Sequence, residues 1–265
     1  MNIGIVGAAG RMGRMLIAAV VNADGADLAG GTEAAGHPDM GKDLGALAGV
    51  DTLGVALTSD PRALFEACDA VLDFTVPAAT AAHAALAADT GTVLVIGTTG
   101  LEVQHQDAIE RAAQKAALVQ AANYSVGVNL MLGLVEQAAR ILPEAYDIEV
   151  LEMHHHHKVD APSGTALALG HAAALGRDVN LDDVADKVRD GITGARRTGD
   201  IGFATLRGGD VVGDHTVMFA GSGERVEITH KAASREIFAT GAVRAAMWAC
   251  SQKPGLYSMK DVLGF

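Results

Sequence analysis

The stretch "NIGIVGAAGRMGR", residues 2–14, decides the fold. It opens with an apolar, β-branched run, which is typical of a buried strand. From Arg11 onward the apolar residues recur at helical spacing, and glycines separate the two patterns. The stretch therefore predicts a strand, a tight turn and a helix, which together begin a βαβ unit.

The same alternation continues along the first half of the chain. Further strands are predicted at 26–33, 70–75, 92–97 and 117–122, and helices at 11–22, 61–68, 78–89 and 102–116. Apolar strands that alternate with helices are typical of a parallel sheet covered on both faces. We therefore expect a Rossmann-like, doubly wound α/β domain over residues 1–125.

The pattern changes after residue 125. A helix at 127–142, a strand at 147–154 and a helix at 163–175 are followed by a polar, loop-like stretch at 178–200. Three strands, at 201–207, 210–220 and 224–232, are joined by "GGD" and "GSGE", which favour hairpin turns and a three-stranded meander. We expect a second, α+β domain with a mixed or antiparallel sheet over 126–234. A final helix at 235–252 is expected to return to the first domain, which 235–265 completes.

Composition and charge limit the class of protein. The 265 residues carry a formal net charge of −12, which disfavours nucleic acid and anionic lipid as general partners. The first residues enter a strand directly, and no apolar run is long enough to span a membrane. The two cysteines have no CxxC spacing. These features predict a soluble cytoplasmic protein.

The glycines of the opening stretch point to a dinucleotide site. Gly7 suits a tight turn, Gly10 lets the backbone approach a pyrophosphate, and Gly13 lets helix and strand pack closely. Glu33 ends the second strand at the distance where an acid binds the ribose hydroxyls. Ala34 supplies no cation for a 2′-phosphate, although Arg11 could partly substitute, so we expect NADH to serve at least as well as NADPH. The alternative is an ordinary glycine-rich turn.

Two other loops follow predicted strands at the edge where an open α/β sheet binds ligands. They are "GTTG" at 97–100 and "AANYS" at 121–125. Gly97, Thr98 and Thr99 offer small side chains and hydroxyls for a nicotinamide ribose or amide. Taken without the first motif, both loops are ordinary connections.

The stretch "EVLEMHHHHKVDAPSGTALALG", residues 149–170, raises a separate question. Four consecutive histidines could be a tag remnant, a metal site, a solvated run or part of a catalytic loop. The run is short and internal, which disfavours a tag. Neighbouring residues in extended chain point to opposite faces, which disfavours a metal site. A lysine, titratable imidazoles and a helix N-terminus at "PSGT" instead suit a substrate that carries carboxylates and must be protonated.

The motifs "GAAGRMG", "GTTG", "NYSVGVN" and above all "EMHHHHKVDAPSGTA" closely resemble the 4-hydroxy-tetrahydrodipicolinate reductase (dihydrodipicolinate reductase) family of lysine and diaminopimelate biosynthesis. The resemblance runs essentially from end to end. It implies catalytic residues His154 and Lys158, with substrate contacts from His155, Ser163, Gly164 and Thr165. It implies a coenzyme site lined by Gly7, Ala8, Ala9, Gly10, Arg11, Met12, Glu33, Gly97, Thr98, Thr99, Ala121, Ala122, Asn123 and Tyr124.

The resemblance also implies the reaction. A nicotinamide coenzyme, NADH or NADPH, gives a hydride to a small cyclic dicarboxylate with loss of water, without a metal, and Lys158 supplies a proton. A homotetramer built through the sheet of the second domain is implied as well. Family members often carry a basic residue at the position of Ala34 and a Phe at Tyr124, so this chain departs from the pattern at both. Three alternatives remain: a reductase of another cyclic or imino dicarboxylate, a dinucleotide-sensing binding protein, and a metal-dependent hydrolase.

Overall fold

The computed structural model describes residues 1–265. The chain forms two compact units. Unit 1 comprises Met1–Val126 with Glu236–Phe265, and unit 2 comprises Gly127–Arg235. None of the helices is both long and apolar enough to cross a membrane.

Unit 1 begins with strands and helices in alternation. In chain order these are β1 (Asn2–Val6), α1 (Arg11–Val21), β2 (Asp27–Thr32), α2 (Leu44–Ala48), β3 (Leu57–Thr58), α3 (Pro61–Ala67), β4 (Ala70–Asp73), α4 (Pro77–Thr90), β5 (Val93–Ile96), α5 (Val103–Ala112) and β6 (Ala117–Gln120). The sequence predicted all of them except α2 and β3, which are too short to show a clear period.

Unit 2 contains most of α6 (Val126–Ile141), then β7 (Asp147–His154), α7 (Gly164–Gly176), α8 (Leu181–Val184), β8 (Ala185–Asp186), β9 (Ile201–Arg207), β10 (Gly213–Ala220) and β11 (Arg225–Ala232). The chain then returns to unit 1 with α9 (Glu236–Ala249), β12 (Gly255–Tyr257) and α10 (Met259–Leu263). Helix α9 packs against α1 and the sheet of unit 1.

The sheet of unit 1 has seven strands in the order β12-β6-β5-β4-β1-β2-β3. Every neighbouring pair is parallel. The chain builds outward from β1 through β2 and β3 on one side, and from β4 onward on the other. The order therefore reverses between β1 and β4, which is where doubly wound sheets bind ligands. The predicted Rossmann-like fold is confirmed.

The core of unit 1 lies on both faces of this sheet. Along β5, Val93 and Val95 pack into one buried cluster, whereas Leu94 and Ile96 pack into the other. Alternate side chains of a strand point to opposite faces, so a strand buried on both sides is apolar throughout. This explains why the sequence shows continuous apolar runs here rather than alternation.

The sheet of unit 2 has five strands in the order β11-β10-β7-β9-β8. Strands β10 and β11 form the predicted hairpin, but β9 and β10 do not pair with each other. Strand β7 lies between them, parallel to β9 and antiparallel to β10. The predicted three-stranded meander is therefore wrong, although the mixed sheet is confirmed.

The link between β9 and β10 shows the physical reason. Gly208 donates its N–H to the carbonyl of His154, and His155 donates its N–H to the carbonyl of Val211. The glycine-rich link thus forms backbone hydrogen bonds with the histidine loop instead of closing a hairpin. The stretch 178–200 is also not entirely loop, because β8 pairs with β9.

Candidate active site

The glycine-rich turn of unit 1 has the geometry that its sequence predicts. Gly7 has a φ of 68°, in the left-handed region that favours glycine. A Cβ on Gly13 would overlap the carbonyl oxygen of Gly7, so only glycine allows this approach of α1 to the strand. Gly10 is the N-cap of α1, and no side chain caps the helix there. A helix N-terminus of this kind can bind phosphate.

A pocket of about 540 Å³ lies at the carboxyl ends of β1, β2 and β4, where the strand order reverses. The predicted residues Gly7, Gly10 and Glu33 line it. Arg11 instead lines a larger groove of about 1110 Å³ between α1 and α9. The smaller pocket contains both the glycine turn and the acidic residue, which are the features expected of a dinucleotide site.

Three other residues of the glycine-rich turn are buried or half-buried. Ala8 and Ala9 are buried, and Ala8 donates its N–H to the carbonyl of Thr32 on β2. Met12 is half-buried in the first turn of α1. The turn is therefore tied to the end of β2, the strand that Glu33 follows.

Glu33 follows β2, and the charges around it matter for any ligand phosphate that binds there. Its carboxylate accepts the N–H of Ala34 at 3.0 Å, and Ala34 is exposed. Further along the chain, Asp39 binds Lys42 at 2.6 Å and Arg14 at 3.2 Å. The hydrogen bond from Lys42 lowers the pKa of Asp39 and so favours its charged form. The end of β2 therefore offers an acid, and the exposed residue directly after it, Ala34, carries no charge.

The "GTTG" loop has a structural role that its sequence did not show. A Cβ on Gly97 would overlap the ring of Phe74. The hydroxyl of Thr98 is buried and accepts a hydrogen bond from Thr80 at 2.7 Å, whereas Thr99 is exposed. Thr99 and the backbone are thus the parts of this loop best placed to meet a ligand.

The loop after β6 is similar. Ala121 and Asn123 are half-buried and Ala122 is exposed, but Tyr124 lies wholly in the core. The phenol of Tyr124 donates to the carbonyls of Ile96 and Val119, each at 2.8 Å. Burial raises the pKa of Tyr124 well above its ordinary value. Tyr124 therefore fixes the ends of β5 and β6 rather than exposing its hydroxyl.

Sequence reasoning missed Asp73, which ends β4 beside the pocket. It is fully buried and binds His83 Nδ1 at 2.9 Å and the Thr75 hydroxyl at 2.5 Å. Burial raises the pKa of Asp73, but hydrogen bonds from His83 and Thr75 outweigh burial and lower it overall. Thr75 and His83 both line the pocket. The indication in the sequence was an acid at the carboxyl end of a buried strand next to the switch point.

In unit 2 the histidine loop begins at the end of β7. Glu152 and His154 are two residues apart on the buried face of this strand. Oxygen Oε2 of Glu152 lies 2.6 Å from Nδ1 of His154, and both side chains are buried. The carboxylate thereby orients the imidazole and favours a proton on Nδ1, which leaves Nε2 to exchange protons.

Glu152 is the centre of a larger buried network. Arg207, at the end of β9, binds both of its oxygens at 2.8 and 2.9 Å. Ser163 donates its backbone N–H to the same carboxylate at 3.0 Å. Burial raises the pKa of Glu152, but the hydrogen bonds from Arg207 and His154 outweigh it, so the pKa lies below its ordinary value. Glu152 is therefore a charged, fully paired carboxylate.

The remaining histidines differ in environment. Nε2 of His155 lies 3.4 Å from Arg235, and burial together with that cation lowers the pKa of His155. His156 and His157 are exposed, with their rings 3.8 Å apart, and His156 Nδ1 lies 3.1 Å from the carbonyl of Gly209. Across residues 1–265, no three His, Cys, Asp or Glu side chains are grouped so that they could hold a metal ion.

Lys158 lies on the same loop. Its ammonium group is 2.8 Å from Asp160, and its side chain is mostly buried. Arg207 donates to the carbonyl of Asp160 at 2.6 Å and so connects this segment to Glu152. The structure thus joins His154 and Lys158 through Glu152, Arg207 and Asp160.

The "PSGT" turn begins α7 as its sequence predicts. Ser163 is the N-cap, and its hydroxyl accepts the N–H of Ala166 at 3.2 Å. Gly164 is exposed and Thr165 is half-buried at the N-terminus of the helix. The positive end of the helix dipole favours an anion here. This turn and the histidine loop meet through Glu152.

The sequence alone did not point to Glu152, Arg207 or His215. His215 is a buried histidine of β10 whose Nε2 lies 3.1 Å from the hydroxyl of Ser163. Glu152 was detectable, since it precedes His154 by two positions in an alternating strand. Arg207 and His215 were not, because their proximity depends on strand register. Arg207 pairs with His154 across β9 and β7, and His215 pairs with Glu152 across β10 and β7.

Known proteins match the chain over nearly its whole length. The family model for the dihydrodipicolinate reductase N-terminus matches residues 1–124, and the model for the C-terminus matches 127–263. A 4-hydroxy-tetrahydrodipicolinate reductase of Brucella abortus (strain 2308) is 56% identical over 265 residues, covering 100% of this chain and 99% of that protein. Another, of Parvibaculum lavamentivorans, is 57% identical over 261 residues, covering 98% and 96%.

A solved structure shows the same fold. Dipicolinate-bound dihydrodipicolinate reductase from Paenisporosarcina sp. TG-14 superposes with a TM-score of 0.78 at 23% sequence identity, covering 98% of each chain. The two family models together span both units, and the relatives share more than half of their residues with this chain. The chain therefore belongs to the dihydrodipicolinate reductase family.

Proposed function

We propose that the protein reduces 4-hydroxy-tetrahydrodipicolinate to tetrahydrodipicolinate, with a reduced nicotinamide dinucleotide as hydride donor. The observation that carries the proposal is the buried network of unit 2, in which Glu152 joins His154 to the start of α7 and, through Arg207, to the segment of Lys158. The links from His154 and from the segment of Lys158 to the N-terminus of α7 support the proposal. This arrangement is suited to a dicarboxylate that must be protonated.

The coenzyme pocket of unit 1 fits a dinucleotide. The left-handed Gly7, the close packing at Gly13 and the uncapped start of α1 provide room and N–H groups for a pyrophosphate. Glu33 would hold the ribose hydroxyls, and Thr99 with the backbone of 97–99 and 121–124 would lie along the nicotinamide half. When bound, the reduced nicotinamide supplies the hydride.

The substrate would be held by unit 2. One carboxylate would bind at Ser163, Gly164 and Thr165, where the helix dipole favours an anion. The ammonium group of Lys158 and the ring of His155 would contact the remainder. Lys158 would then exchange its pairing with Asp160 for pairing with substrate.

The stoichiometry of the reaction determines which proton transfers are needed. The 4-hydroxyl group leaves as water together with a proton from the adjacent ring carbon, and one hydride and one proton are then added to the ring. Lys158 gives the proton to the carbon or enamine left by hydride addition and becomes a neutral amine. His154, held through Nδ1 by Glu152, accepts and returns protons at Nε2.

The reaction is tested by following oxidation of the reduced coenzyme with freshly generated 4-hydroxy-tetrahydrodipicolinate. We expect turnover with this substrate and none with other cyclic imino dicarboxylates or acyclic 2-oxo acids. Binding of pyridine-2,6-dicarboxylate, a planar mimic of the ring, should be lost on replacing the turn at Ser163–Thr165 by alanines. Faster turnover of another imino dicarboxylate would contradict the assignment.

Coenzyme preference follows from the charges at the end of β2. We expect kcat/KM with NADH to equal or exceed that with NADPH, because a 2′-phosphate would meet Glu33 while Arg14 and Lys42 are paired with Asp39. Steady-state assays with both coenzymes measure this directly. A strong preference for NADPH would contradict it.

A variant tests the cause of the preference. Asp39→Asn releases both cations and should raise kcat/KM for NADPH relative to NADH. Asp24→Asn makes the same change of charge at an exposed residue that forms no ion pair, and it should leave the ratio unchanged. Equal effects of the two variants on this ratio would indicate that the preference depends on the overall charge of the protein rather than on Asp39.

We also propose that the protein is a homotetramer assembled through the sheet of unit 2. Leu206 of β9 is a large apolar side chain that is 48% exposed, on the face of the sheet that also carries Leu151 and Met153. Apolar side chains left exposed on a sheet favour association. Light scattering should give a mass four times the 27.1 kDa of one chain, and Leu206→Asp should lower it.

A further inference from the structure

His215 has no part in the proposed chemistry, although it lies inside the network of unit 2. It stands on β10 directly opposite Glu152 on β7, and only 4% of its surface is exposed. Its Nε2 lies 3.1 Å from the hydroxyl of Ser163, and its ring packs edge-on against His154 with centroids 5.0 Å apart. Its Nδ1 is buried without a hydrogen-bond partner.

Of the three hydrogens around Ser163 and His215, only two can be used in hydrogen bonds within this group. The donors are the N–H of Ala166, the hydroxyl of Ser163 and one ring N–H of a neutral imidazole. Ala166 donates to the Ser163 oxygen, and one further hydrogen lies between Ser163 and His215. The third hydrogen has no acceptor in this group.

The tautomer of His215 decides which hydrogen is left over. If Ser163 donates to Nε2, then Nδ1 carries the other hydrogen and becomes a buried donor without an acceptor, which is costly. If Nε2 carries the hydrogen and donates to Ser163, then Nδ1 is only an unused acceptor. In that case the serine oxygen accepts two hydrogen bonds, and its own hydrogen is available to a ligand.

We propose that His215 is a positioning residue that donates from Nε2 to Ser163 and thereby presets the serine hydroxyl as a donor to a substrate carboxylate. The inference rests on the proposed function, since it assumes that a carboxylate binds at the start of α7. It adds a residue that acts on substrate affinity without contacting the substrate.

The surroundings of His215 keep it in the required form. Burial, then the neighbouring His154, lowers the pKa of His215 to about 4, so the ring is neutral near pH 7 and carries one ring hydrogen. The Ser163 backbone is fixed by Glu152, which holds the serine in place while His215 sets its hydroxyl. A carboxylate is the acceptor that this arrangement lacks.

Two substitutions at His215 distinguish the role of Nε2 from that of Nδ1. The amide nitrogen of His215→Gln reaches the place of Nε2 and can still donate to Ser163, whereas that of His215→Asn reaches only the place of Nδ1. We expect His215→Asn to raise the Kd of pyridine-2,6-dicarboxylate about 10- to 100-fold, the range for losing a hydrogen bond to a charged group. His215→Gln should stay within about threefold, and the Kd of the coenzyme should change in neither variant. Equal affinity in all three proteins would overturn the proposal.

A double-mutant cycle tests whether His215 acts through Ser163. Ser163→Ala should weaken binding, and adding His215→Asn to it should cause no further loss. A further loss of tenfold would mean that His215 acts by another route, and the proposal would be overturned. If instead the unmodified enzyme neither binds the dicarboxylate nor turns over substrate, it is the proposed function that fails.

A measurement on the unmodified chain covers the case in which the variants do not fold. Histidine ring ¹⁵N resonances of the complex with pyridine-2,6-dicarboxylate report the tautomer of each imidazole. We expect the buried ring of His215 to carry its hydrogen on Nε2. A hydrogen on Nδ1 in this complex would rule out the proposed donor to Ser163.

Discussion

Replacing Lys158 by alanine is expected to lower kcat by about 10²–10⁴-fold, the usual contribution of a positioned proton donor. The ammonium group of Lys158 is held at 2.8 Å by Asp160, in the segment that Arg207 connects to Glu152. Alanine removes the proposed proton donor and one cation of the proposed substrate site. Coenzyme affinity should be nearly unchanged, because the proposed coenzyme pocket is lined by residues of unit 1 alone.

The measurement is steady-state turnover at saturating coenzyme, together with coenzyme binding by fluorescence. Lys187→Ala provides the matched control, since Lys187 is an exposed lysine of the same unit. It removes the same charge and should leave kcat unaffected. Unchanged turnover in Lys158→Ala would remove this residue from the mechanism.

Replacing Glu152 by glutamine is expected to affect both stability and activity. Glu152 is 1% exposed and its carboxylate accepts hydrogen bonds from Arg207, His154 and the backbone of Ser163. Glutamine keeps the shape but removes the charge that pairs with Arg207. We expect a loss of about 2–4 kcal/mol in the free energy of unfolding, measured by chemical denaturation. Turnover should fall roughly 10- to 100-fold, because an amide, with one acceptor oxygen and one donor nitrogen, no longer fixes the tautomer of His154 while it also binds Arg207.

Glu149→Gln is the matched control on the same strand. Glu149 also binds arginines, Arg189 at 2.7 Å and Arg196 at 2.9 Å, but on the opposite face of β7. These pairs are partly exposed, so their loss should cost at most about 1 kcal/mol and leave turnover intact. If both variants lose activity equally, Glu152 has no special relation to His154.

The stability that Glu152 contributes also depends on pH. Its pKa is lower in the folded protein than in the unfolded chain. The contribution is therefore fully present above the unfolded pKa, near 4.5, and is lost as the pH falls through the folded value. The Glu152→Gln variant should accordingly lose less stability than the unmodified protein when the pH is lowered below about 4.5.

Much of unit 1 could be predicted because its determinants are local. The apolar run of β1, the glycines at 7, 10 and 13, and the helical period of α1 specify one βαβ beginning within thirteen residues. The short elements α2 and β3 escaped prediction because five and two residues cannot show a period. Their positions depend on contacts with β2 and α1.

The sheet of unit 2 was predicted less well because its pairing is not local. The glycines between β9 and β10 suit a hairpin, but β7 takes the position between these strands and its own loop forms hydrogen bonds with the link. Consecutive strands often pair, yet an earlier strand can insert between them without any change in composition. Sequence spacing carries no information about such an insertion.

By itself the sequence determined the class of fold, the family, and the residues that lie in its two contiguous motifs, because a motif needs only neighbours along the chain. The tertiary structure alone decided which side chains complete the site. Arg207 and His215 are more than fifty residues from Glu152 and His154 but reach them through the register of β9 and β10 with β7. A buried carboxylate needs hydrogen-bond partners, and Arg207 comes from a neighbouring strand that only the strand pairing identifies.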